Sequence, residues 1–111
     1  MTVNVLGTEY TIKHQTEKEN PKLENANGLC EVYAKEIIIC DFEPSKMTVD
    51  KVEDFKKKVL RHEIIHAFMF ESGLWENSVD GEQWATNEEM TDWIAIQFPK
   101  ILKVYQELDI L

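Results

Sequence analysis

His62 and His66 stand four residues apart, with Glu63 directly after the first, in the run Arg61-His62-Glu63-Ile64-Ile65-His66-Ala67-Phe68-Met69-Phe70. On an α-helix, residues four apart lie one above the other on the same face. Both imidazoles can therefore reach one tetrahedral Zn²⁺ at about 2.0–2.1 Å. Glu63 falls to one side of the pair, where a carboxylate can touch water held by the metal and act as general base without being a ligand. The chemistry this H-E-x-x-H pattern serves is metal-assisted hydrolysis. Its flanks make the helix apolar nearly all round, as in a buried core helix. Titratable groups in such a setting need partners, and a metal supplies one. The plainer reading, two partly exposed histidines on an ordinary helix, accounts less well for those flanks.

Two histidines do not complete the site, because a catalytic zinc takes three protein ligands and keeps a position for water. No histidine follows His66, and position 72 is Ser72 where a metzincin would need a third histidine. A downstream carboxylate is the remaining common solution. In Asn87-Glu88-Glu89-Met90-Thr91-Asp92, Glu88 and Asp92 are four apart, so both can face the motif helix. Glu88 can bind zinc while Asp92 accepts a hydrogen bond from the far nitrogen of a ligand histidine. Glu89 ranks second, because Thr86-Asn87-Glu88-Glu89 reads as a capping box that already employs it. Glu71, Glu76 and Glu82 stand behind these two. His14 reads as a surface residue at a strand end. Cys30 and Cys40 are not spaced as a zinc or redox pair and read as small, buried, apolar residues. A short strand pairing could bring the two opposite each other, but a reducing cytosol argues against a disulfide.

The elements that must position these groups can be read in order. Thr2–Leu6 and Glu9–Lys13 are β-like runs around a tight turn at Gly7-Thr8. Gln15–Asn27 is polar, with Asn20-Pro21 and Asn27-Gly28 as turn signals. Leu29–Tyr33 and Glu36–Phe42 form a second strand pair around Ala34-Lys35. The uninterrupted Ile37-Ile38-Ile39 predicts a strand buried on both faces or covering a cleft. Thr48 is placed to cap a helix running from Val49 to Ser72, closed by Gly73 in a left-handed conformation. Val52, Phe55 and Val59 share the side of the two histidines, and Lys56-Lys57-Lys58 reads as a solvated face. After a loop over Leu74–Gly81, a helical region extends from Glu82 to Leu108. Pro99 is expected to divide it into two helices meeting near Phe98. Trp84, Trp93, Ile94, Phe98, Ile101, Leu102 and Tyr105 are expected to pack on the motif helix and sheet.

With 111 residues the chain has room for one domain with one modest core. A net charge of −9 argues against nucleic-acid binding, which wants a basic face. Nothing approaches membrane-spanning length, and the first residues lack the basic start and apolar core of a signal peptide. The expectation is a soluble, cytoplasmic protein, its oligomeric state left open.

His62-Glu63-x-x-His66 followed by Asn87-Glu88-x-x-Thr91-Asp92 resembles the gluzincin metallopeptidases, whose thermolysin-like members carry H-E-x-x-H and then N-E-x-x-S-D. The resemblance implies that His62, His66 and Glu88 are zinc ligands, Glu63 the general base, and Asp92 a support to a ligand histidine. The 21 residues between His66 and Glu88 match that pattern loosely. Thermolysin-like members also use Tyr or His groups beyond the third ligand to stabilise the oxyanion. Here only Tyr105 follows, in no matching motif, so that role is unassigned. The whole chain is also similar to small H-E-x-x-H proteins of Gram-positive phages and mobile elements. The resulting expectation is an α+β, minimal zincin-like domain: a small N-terminal β-sheet, the H-E-x-x-H helix, and a C-terminal ligand-bearing helical region. Its expected activity is zinc-dependent hydrolysis of a peptide or protein substrate. The strand Glu36–Asp41 is expected to pair with extended substrate along the cleft. The alternative is a catalytically inactive zinc-binding interaction protein.

Overall fold

The computed structural model describes residues 1–42, 49–77 and 84–111. It is α+β: a four-stranded sheet followed by two helices. The strands are β1 (Thr2–Val5), β2 (Thr8–Gln15), β3 (Gly28–Glu31) and β4 (Glu36–Cys40), and the helices α1 (Val49–Glu71) and α2 (Glu88–Glu107). Short 3₁₀ turns lie at Pro21–Leu23 and Trp84–Thr86.

Both expected hairpins form. The first turns one residue earlier than the Gly7-Thr8 reading: Leu6 and Gly7 take φ of 50° and 94°, the two successive positive values of a type I′ loop. The hairpins join through a parallel pairing of β2 with β4, giving the order β1-β2-β4-β3. Central β4 is therefore hydrogen-bonded on both sides and β3 is an edge. Burial follows from this order. Ile37, Ile38 and Ile39 are all buried, as an uninterrupted β-branched run predicts for a central strand. Alternate residues Tyr10, Ile12, Ile37 and Ile39 join Val59 and Ala67 of α1 in the core. Cys30 pairs with Ile37, whereas the Cys40 amide bonds to the Asn27 carbonyl, so the two thiols are not opposite and both are free.

Helix α1 runs as expected, with Val52 and Val59 buried on the histidine side. The expected solvated face holds only at Lys57: Lys56 and Lys58 are half-buried, bound to Asp41 and Asp92. Thr48 lies outside the described residues. Gly73, at φ +89°, lets the chain turn back, and the Trp75 amide then donates to the Met69 carbonyl. This turn lays the Trp75 ring edge-on to His66, with centroids 6.1 Å apart.

The C-terminal region departs from expectation. Helix α2 is continuous through Pro99. A proline removes the amide that would bond to the carbonyl four residues back, here that of Ala95. Arg61 Nε of α1 donates to that carbonyl at 2.6 Å, so the acceptor is satisfied across the helix interface and the helix need not end. The aromatic side chains do not form the packing face either. Trp84, Trp93, Phe98 and Tyr105 are exposed, while Thr91 and Ala95 are fully buried. Two small residues thus make up the buried face of α2, and Glu88 and Asp92 of the same helix reach the α1 histidines. Among the described residues, no helix is long and apolar enough to cross a membrane.

Candidate metal centre

Helix α1 brings His62, Glu63 and His66 to the sheet-facing cleft, where Glu63 and His66 are buried. Helix α2 starts at the same cleft because Asn87 caps it, its side chain accepting from the Met90 amide at 2.7 Å. The cap is thus Asn87 rather than Thr86, so the capping-box role read for Glu89 does not form. Glu88 becomes the first helical residue, aimed at α1, and Glu89 turns away beside Trp84, Met90 and Trp93.

The donor atoms converge. Glu88 places one carboxylate oxygen 2.9 Å from His62 Nε2 and the other 2.9 Å from His66 Nε2, and the two Nε2 atoms are 3.1 Å apart. Vertices of a tetrahedron with metal–ligand bonds near 2.05 Å are about 3.3 Å apart. The two nitrogens are close to that spacing, while Glu88 meets them through different oxygens and would have to turn to offer one oxygen, or ligate through both. Two imidazole nitrogens and a carboxylate are also a donor set that zinc takes in hydrolases. Asp92 Oδ1 lies 3.0 Å from His62 Nδ1. With a metal bound, this acceptor would keep the proton on Nδ1 and leave Nε2 to ligate. Lys58 holds the same oxygen at 3.1 Å. His66 has no such support: its buried Nδ1 lacks a hydrogen-bond partner among the described residues.

Electrostatics set each group's protonation. Burial depresses the His66 imidazole below its ordinary value, favouring the neutral form a metal requires, although Glu88 pulls the other way. Burial raises the Asp92 carboxyl, but hydrogen bonds from His62 and Lys58 outweigh it and hold the group below the ordinary aspartate range. Burial pushes Glu63 up to about 7, with Glu88 adding to the rise and His62 opposing it. In the metal-free chain this carboxyl, 4.0 Å from His62 Nε2, is thus poised between its protonated and ionised forms near neutral pH.

The cleft has two lobes that share Gly28, Glu63 and Glu88. One, of about 340 Å³, is lined by Asn25, Asn27, Lys58 and Asp92; the other, of about 290 Å³, by Leu29, Cys30, His66 and Trp75. Gly28, the first residue of edge strand β3, lines both lobes, and Leu29 and Cys30 line the second, so the strand flanking the cleft is β3 rather than the expected Glu36–Asp41, whose hydrogen bonds are consumed within the sheet. Gly28 is also more than the turn signal Asn27-Gly28 suggests. A Cβ there would lie 2.7 Å from Val59 Cγ1 and 3.1 Å from Glu63 Cγ, so glycine lets β3 approach α1 beside the general-base candidate. Lys58, expected on a solvated face, instead lines the cleft half-buried against Asp92. The places of Gly28 and Trp75 in the cleft were not expected; the small residue at a strand start was the one available signal.

The other expected candidates lie elsewhere. Glu71 bonds to Lys35 and Tyr10, His14 is exposed near the end of β2, and Glu76 is exposed after α1. Glu82 lies outside the described residues. Burial pushes the Cys30 thiol up to about 12, and the thiol is not among the donors that converge at His62, His66 and Glu88. Comparison with protein-family models, with curated proteins and with solved structures found no match to this chain.

Proposed function

We propose that the chain is a zinc-dependent hydrolase of peptide bonds with a minimal, gluzincin-like zincin architecture. The observation that carries this reading is the convergence of His62 Nε2, His66 Nε2 and the Glu88 carboxylate from two helices, within 4.8 Å of one another and next to buried Glu63. His62, His66 and Glu88 hold the metal, and Asp92 orients His62. When bound, zinc supplies Lewis acidity, which acidifies water and polarises the scissile carbonyl. Glu63 takes the proton from the attacking water and returns it to the leaving amine. The outer edge of β3, unpaired among the described residues, pairs with an extended substrate backbone that then runs along the cleft. A peptide offers the alternating donors and acceptors that such an edge satisfies.

One observation favours a second reading, a zinc-binding interaction protein without activity. Among the described residues, neither lobe is lined by a tyrosine or by a histidine beyond the two ligands, so the oxyanion lacks the expected partner. Tyr105 is exposed on the distal part of α2. Glu63→Gln decides between the two. The substitution keeps the shape but removes the base, so zinc content and folding should hold while cleavage of a peptide library falls by about 10²–10⁴-fold. Equal cleavage by wild type and variant would refute the mechanism; zinc binding without cleavage by either supports the interaction protein.

A further inference from the structure

Two residues outside the donor set, Arg61 and Pro99, lie where they can govern how that set is assembled. Arg61 directly precedes His62. The Ala95 carbonyl it reaches lies three residues beyond Asp92 and seven beyond Glu88, on the same face of α2. We infer that Pro99 turns the Ala95 carbonyl outward for Arg61, and that this bond sets α2 against α1 so that Glu88 and Asp92 are in place before a metal arrives. The inference rests on the metal-centre reading of His62, His66 and Glu88.

The physical basis has three parts. A proline ring both lacks the amide and pushes on the carbonyl four residues earlier, tilting it away from the helix axis. A charged guanidinium is a strong donor for such an acceptor. Ala95 is fully buried and Arg61 partly so, which screens the bond from competing water. The bond also draws on none of the site's own charges. Glu88 and Asp92 meet the histidines through groups that a metal would reorganise, and the Glu88 side chain is 73% exposed. Arg61 and Ala95 hold the helix pair whether or not metal is bound. That lowers the ordering cost of ligation and makes Arg61 a positioning residue.

The test is a Co²⁺ titration, followed by visible absorption, of the full chain and of Arg61→Met, Arg61→Lys, Pro99→Ala and Arg61→Met/Pro99→Ala. Each of Arg61→Met and Pro99→Ala should weaken Co²⁺ binding by roughly 10-fold, the scale of a lost outer support. Arg61→Lys, which keeps a cationic donor, should recover part of the loss. The double variant should be no weaker than the weaker single one, because both changes break one bond. Pro99→Ala should also raise the thermal midpoint of the metal-free chain, since alanine suits a helix interior better than proline. A purely structural role would not give lower affinity with higher stability. In the metal-free chain, the Arg61 Nε–H should be protected from solvent exchange by NMR, and Pro99→Ala should abolish that protection. Equal Co²⁺ affinity across the variants, multiplying losses in the double variant, or protection unchanged by Pro99→Ala would each overturn the inference alone. A wild-type chain that binds no Co²⁺ would overturn the metal-centre reading and this role together.

Discussion

The two helices furnish the candidate centre in different ways. On α1 the side chains of His62, Glu63 and His66 are 14, 8 and 7% exposed, and the helix beneath them is packed into the sheet through Val59 and Ala67. On α2 the Glu88 and Asp92 side chains are 73 and 39% exposed, and what brings them in is a face of small residues and a cap at Asn87. One half of the site is fixed by core packing around it, the other by the docking of a neighbouring helix. A cleft arranged this way has buried histidines and a third candidate donor that must be held in reach from outside.

The largest effects should expose that asymmetry. Glu88→Ala is expected to lower zinc affinity by more than roughly 100-fold, beyond the usual loss for an outer support. Asp92→Ala should fall within about 10- to 100-fold. Glu89→Ala should leave affinity unchanged and cost about 0.3–1 kcal/mol of stability, as an acid lost from a first helical turn. Competition titration against a zinc chelator measures all three. The opposite ranking, with Glu89 essential and Glu88 dispensable, would break the assignment of α2's role.

The same division governs what could be read in the sequence. His62, Glu63 and His66 share one helix, so their convergence is a matter of local spacing and is visible without a structure. Glu88 and Asp92 could be read for their spacing to each other and for the likeness of their motif. Their distance to α1 depends on Thr91, Ala95 and Arg61, which carry no local signal. The aromatics misled because large apolar side chains are the default core, whereas the fully buried positions of α2 are Thr91 and Ala95. Pro99 misled for a related reason: local preference favours a break there, and the tertiary bond from Arg61 overrides it. In the sheet, both hairpins were legible from alternation and turn residues. The parallel join of β2 to β4, which makes β3 the edge, depends on long-range pairing that periodicity does not encode.

An intermediate effect is expected where the sheet meets α1. Gly28→Ala would drive a methyl group against Val59 Cγ1, with Glu63 next in line. Overpacking of this kind costs about 1–3 kcal/mol, readable by denaturant unfolding. Because Val59 is the closest neighbour, Gly28→Ala/Val59→Ala should destabilise less than the two single changes add up to. Strict additivity would show that glycine serves some other purpose at this position.

The smallest effect concerns the end of α1 remote from the ligands. Glu71 accepts from Lys35 Nζ at 2.7 Å and from the Tyr10 hydroxyl at 3.1 Å, tying the last turn of α1 to the sheet. The Lys35 hydrogen bond is the main reason its carboxyl is held below the ordinary glutamate value of 4.5, with Tyr10 assisting and partial burial opposing. A depressed carboxylate contributes stability that is fully present above its unfolded-state value and is lost as pH falls through the folded-state value. Glu71→Gln removes the charge while keeping an acceptor for Tyr10. At pH 7 it should cost about 1 kcal/mol, since the Lys35 partner is itself one-third exposed and solvent screens the pair. Below pH 4.5 the wild-type advantage should shrink, and the two unfolding curves should converge at more acidic pH. Zinc affinity should be the same in both proteins, because Glu71 contacts neither the histidines nor Glu88. A difference in stability that persists unchanged into acid would mean that Glu71 acts through shape rather than charge, and a change in zinc affinity would mean that the two ends of α1 are coupled.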